Sequence, residues 1–76
     1  MKIRTLDNKE FIGNSADELC WKLWQSMFKP NKTFKLWMKG SARRAKNWNG
    51  ARVRTGNAEN HLADLIAYNI VTLLEV

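Results

Sequence analysis

Pro30 is the chain's only proline, and it divides the longest apolar-periodic part of the sequence. The residue before a proline is pushed out of helical geometry, so a helix arriving from the N-terminal side stops at about residue 29. That helix has a clear start. "SADE" sets Ser15 as an N-cap and Glu18 three residues on, the spacing of a capping box. At about 100° per residue, Leu19, Cys20, Leu23, Trp24, Met27 and Phe28 fill an arc of roughly 180°, with Trp21 at its edge. Beyond the proline, "PNKT" is a run of turn formers. Thr33 can cap a second helix over residues 34–48. Asn49-Gly50 ends it, with Gly50 suited to a left-handed cap.

The flanking segments carry a different period. "KIRTL-DNK-EFIG" reads as strand, turn, strand, because Ile3 and Thr5 alternate with Lys2 and Arg4 and Asp7-Asn8 supplies turn chemistry. "ARVRT" alternates Ala51 and Val53 with Arg52 and Arg54, the pattern of a short strand. Asn57 can cap a third helix over residues 58–68, with Leu62, Leu65 and Ile66 inward. Asn69 can close it in a left-handed conformation. "IVTLLEV" fits either a closing strand or a continuation of the helix, and its β-branched residues favour the strand. The expectation is one small α+β domain over residues 1–76: N-terminal β-hairpin, two helices, strand, helix, C-terminal strand. A chain this short has one core and room for one binding face, not for an elaborate cleft.

Charge is distributed unevenly. The net charge is +6, yet residues 19–58 contain no acid and hold ten of the thirteen basic residues. On the second helix Phe34, Trp37, Met38, Ser41, Ala45 and Trp48 share one side. Lys35, Lys39, Arg43 and Lys46 fall within roughly 80° of one another on another side. Arg44 lies apart from that ridge, near the Trp37 edge, and Arg52 and Arg54 add a second positive element. A solvated helix face ordinarily mixes Glu with its Lys, giving pairs four residues apart. Here the like charges have no such relief, so an anionic partner is expected, with nucleic acid or a nucleoprotein complex first. The rival is an acidic protein surface, or a second copy of the chain through the wide apolar face of helix one. Of the four tryptophans, Trp21 is the one expected to be partly exposed, as an aromatic contact for a base or a protein. The other three fit core or edge positions.

Little in the sequence carries chemistry. His61, the single histidine, has Asp64 three residues on but no nucleophile beside it, and the expectation is a surface histidine. Cys20, the single cysteine, falls in an apolar arc and reads as a buried inert thiol. One His and one Cys cannot assemble a structural zinc site, and no glycine pattern matches a phosphate loop. No enzyme, cofactor or metal is expected. With one cysteine there is no internal disulfide, which fits a reducing compartment. The N-terminus lacks an apolar signal-peptide core, and no run of about 18 apolar residues exists to span a membrane. The expected location is the cytoplasm.

The segments "KIRTLDNKEFIG", "SADEL", "VRTGNAENHLADLI" and "LLE" resemble a loose group of small proteins of bacterial and mobile-element genomes. The chain departs from that group in placing Asn69 where glycine is expected and in its more basic middle. The resemblance implies a phage or plasmid accessory role, such as that of compact, non-enzymatic, anti-CRISPR-like inhibitors of host defence. It carries no assigned catalytic residues.

Overall fold

A computed structural model describes residues 1–26 and 33–76. These residues form an α+β domain of three strands and three helices: β1 (Lys2–Thr5), β2 (Glu10–Ile12), α1 (Ala16–Gln25), α2 (Phe34–Asn49), α3 (Ala58–Ala67) and β3 (Val71–Glu75). The strands make one antiparallel sheet in the order β2-β1-β3.

Local chemistry explains where the elements begin and end. In the hairpin, the Asn8 amide donates to the Thr5 carbonyl at 3.0 Å, and Asn8 takes the left-handed conformation that asparagine tolerates. All three helices carry the expected N-caps. The side chains of Ser15, Thr33 and Asn57 accept from the backbone amides of Glu18, Leu36 and Asn60. Glu18 reaches back as in a capping box, but its carboxylate takes the amide of Asn14 rather than that of Ser15. At the far end of α2, Gly50 is left-handed at φ 75° and its amide returns to the Lys46 carbonyl. Asn69 ends α3 at φ 61°. The Asn69 amide donates to Ile66 and the Ile70 amide to Leu65, the paired bonds of a Schellman motif. That reversal stops the helix and sends the chain back as β3, the strand alternative for "IVTLLEV".

Register decides the two sheet faces. Ile3 lies opposite both Phe11 and Leu73, and Thr5 opposite Val71, so these side chains share a face. Ile3 and Val71 enter the core with Leu19, Cys20 and Leu23 of α1, Leu62 and Leu65 of α3, and Trp37 and Met38 of α2. On the other face Lys2 and Arg4 both pair with Glu10, at 3.2 and 3.4 Å. Helix α1 approaches β2 and α3 approaches β3, whereas α2 approaches only α1 and α3 and no strand. An aromatic series holds it there. Trp24 meets Phe34 edge-on at 5.9 Å, Phe34 stacks on Trp37 at 5.6 Å, and Trp37 meets His61 edge-on at 5.2 Å. One side chain from α1, two from α2 and one from α3 are thereby joined.

Three expectations change. The segment 51–55 is not a strand. Its alternation is real, with Ala51 buried and Arg52 and Arg54 exposed, but it pairs with no strand of the sheet. The backbone of Arg54 is satisfied instead by α3: its amide donates to Asp64 at 2.9 Å, and its carbonyl lies 2.8 Å from His61 Nδ1. His61 is therefore not a surface residue; it is fully buried. The third change concerns helix one, which ends at Gln25 with Ser26 as its cap. Its inward residues Leu19, Cys20 and Leu23 belong to the core, while Trp21 at the edge of that face is exposed. The helix thus stops short of the expected end near residue 29, and the expected contributions of Met27 and Phe28 lie outside the described residues.

Candidate nucleic-acid interface

The 16 residues of α2 amount to about 24 Å of helix. Trp37, Met38 and Ala45 turn inward. Lys35, Lys39, Arg43, Arg44 and Lys46 are all exposed, as is Arg52 just beyond the helix. From Lys35 to Lys46 the ridge rises ~16 Å. Among the described residues the ion pairs are Lys2–Glu10, Arg4–Glu10, Lys9–Asp7 and Arg54–Asp64. None of them uses a cation of the ridge, nor Arg44 or Arg52. The acids that pair do so with cations of the hairpin and of the segment before α3. Asp17 and Glu59 sit in the first turns of α1 and α3, where they complement the helix dipoles.

Arg54 is the exception within the expected set. Its Nε and Nη2 donate to the two carboxylate oxygens of Asp64 at 2.8 and 3.0 Å, a two-pronged geometry that arginine favours. These bonds hold the Asp64 carboxyl at about 2 and raise the Arg54 guanidinium above its ordinary value. Its head group is occupied within the fold, and the positive surface consists of the remaining six. In the sequence Asp64 stands out only through its spacing from His61; its separation of ten positions from Arg54 gives no periodic signal.

The two residues with reactive side chains face inward. The Cys20 thiol is buried, which pushes it up to about 12. It donates to the Ala58 carbonyl at 3.7 Å. Because the Arg54 carbonyl 2.8 Å from His61 Nδ1 only accepts, His61 carries its proton on Nδ1, and its Nε2 is buried with no hydrogen-bond partner among the described residues. Burial lowers the His61 pKa, against smaller opposing effects from the Arg54 carbonyl and Asp64. Among the described residues, no group of three or more His, Cys, Asp and Glu could hold a metal ion, and no helix is long and apolar enough to cross a membrane.

The tryptophans divide differently from the expectation. Trp21 is half exposed, at 53%, on α1. Trp37 is buried, but Trp48 is 61% exposed. Trp48 does occupy the angular sector of the apolar side of α2. It stands in the last turn, where that side borders an open groove rather than the core. The groove separates α2 from the hairpin turn, and no single stretch of sequence contains both of its walls. Comparison with protein-family models, curated proteins and solved structures finds no match.

Proposed function

We propose that this α+β domain is a non-enzymatic binding protein that engages nucleic acid or a nucleoprotein complex through α2 and the start of the segment that follows. One observation carries the reading: among the described residues Lys35, Lys39, Arg43, Arg44, Lys46 and Arg52 are exposed without a carboxylate partner, while other cations take the acids that pair. Unpaired cations along ~16 Å of helix can meet more than one phosphate. The non-enzymatic part rests on the inward placement of Cys20 and His61. With its size and its resemblance to mobile-element proteins, this binding fits an inhibitor of a host nucleoprotein machine.

The test is fluorescence anisotropy against labelled nucleic acid over a range of salt. Four to six neutralised phosphates on duplex DNA give a log–log slope of roughly −3.6 to −5.4. Reversing Lys39, Arg43 and Lys46 to Glu removes binding and most of the slope. The fold persists, because these three side chains are exposed and lie away from Trp37, Met38 and Ala45. Absence of wild-type binding at about 50 mM salt refutes a bare nucleic-acid ligand and leaves a nucleoprotein or an acidic protein as the partner.

A further inference from the structure

Because α2 approaches α1 and α3 but no strand, the space between it and the hairpin turn stays open among the described residues. It forms a groove of about 570 Å³, within the range of sites for small organic ligands. Phe11, Trp37 and Val71 are among its apolar residues, Trp48 and Arg44 come from α2, and Leu6 and Lys9 from the hairpin turn. Trp48 and Arg44 are four residues apart, so they stand one above the other on the helix. Both are exposed. The carboxylate in the groove is Asp7. It is tied to Lys9 at 3.7 Å and to the Thr5 hydroxyl, so Arg44 leaves the groove with a net positive charge.

An exposed indole beside an unpaired guanidinium matches the two parts of a nucleotide. Bases stack on aromatic faces whatever their sequence, and phosphates pair with cations. A base inside a duplex presents no free face and must be extruded before it can stack on protein. We propose that this groove receives an unpaired nucleobase on the Trp48 indole with its phosphate on Arg44, so that single-stranded nucleic acid is preferred over duplex. The inference rests on the nucleic-acid reading above and adds the form of the ligand. Arg44 points to the groove flank of α2, and Arg43 and Lys39 continue the positive surface round the helix for neighbouring phosphates.

The experiment measures anisotropy at about 50 mM salt with labelled oligothymidine of about 12 nucleotides and with the same strand annealed to its complement. The proteins are wild type, Trp48→Ala, Trp48→Phe, Arg44→Gln and the Lys39/Arg43/Lys46→Glu triple variant. Wild type should bind the single strand more tightly than the duplex. Trp48→Ala should weaken single-strand binding by roughly five- to a hundredfold and leave duplex binding unchanged, from a stacking contribution of about 1–3 kcal/mol per base. Trp48→Phe keeps an aromatic face and should recover most of the loss, which a merely structural role for Trp48 does not predict. Arg44→Gln should lower single-strand affinity and reduce its salt slope. If single-strand binding is unaffected by Trp48→Ala, or if duplex binds more tightly, the groove proposal falls. The basic-surface reading then still stands, provided the triple variant has lost binding. If wild type binds neither probe, the groove proposal and a bare nucleic-acid ligand both fall, the basic surface is left to a nucleoprotein or an acidic protein, and an acidic apolar peptide becomes the chemistry to test in the groove.

Discussion

His61→Ala should be one of the costliest single substitutions in this chain. The imidazole is fully buried, meets Trp37 edge-on at 5.2 Å, and bonds the Arg54 carbonyl at 2.8 Å. Truncating a buried ring of comparable size costs about 3–5 kcal/mol, and leaving the carbonyl without its donor adds about 1 kcal/mol. Removal of the unpartnered Nε2 offsets part of this, so about 3–4 kcal/mol is the expected loss. A 76-residue domain has a total stability of roughly 4–11 kcal/mol. The melting temperature should therefore fall by roughly 12–30 °C. Urea and thermal unfolding measure the loss directly. His61→Phe keeps the ring and its contact with Trp37, and should cost about 1 kcal/mol or less.

The same residue makes stability depend on pH in a defined direction. Burial lowers the His61 pKa below its ordinary 6.5. As pH falls through about 6.5, the unfolded chain takes a proton that the folded one refuses, so stability decreases. The decrease is at most about 1.4 kcal/mol per pH unit and ends once pH passes below the folded-state value. Above about 6.5 the effect is absent. The groups facing His61 do not imitate this behaviour. Asp64 is held at about 2, and Trp37 and the Arg54 carbonyl do not titrate. Urea midpoints between about pH 8 and about pH 5 should fall for wild type and stay flatter for His61→Phe. Parallel curves for the two proteins, or a loss below about 1 kcal/mol for His61→Ala, would refute the burial argument.

Two further outcomes test other parts of the fold. Ser15→Ala should lower stability by about 1 kcal/mol, seen as a lower urea midpoint, because the Ser15 hydroxyl accepts from the Glu18 amide at 3.2 Å; an unchanged midpoint would place the start of α1 elsewhere. Cys20 should resist thiol reagents in the native protein at neutral pH and react on unfolding, since it is buried and its thiol is pushed up to about 12. Rapid native labelling would show that α1 opens away from α3.

The features legible from the sequence are those decided within a few residues. A cap is a side chain accepting from an amide three positions on, so Ser15, Thr33 and Asn57 announced their helices, and Gly50 and Asn69 their ends. The hairpin and the periodicity of the basic ridge are equally local, and they led to six cations that are exposed. Tertiary structure decided which face was covered and by what. The alternation of residues 51–55 is the same in a strand as in a segment held by α3, and only the bonds of the Arg54 backbone to Asp64 and His61 distinguish them. Arg54 looked like its neighbour Arg52 until Asp64 came within 2.8 Å. His61, expected at the surface, is buried, and Trp48, expected at a core or edge position, is exposed. The helical wheel gives a direction, but burial requires an element in that direction: α2 lies over His61, whereas an open groove borders Trp48.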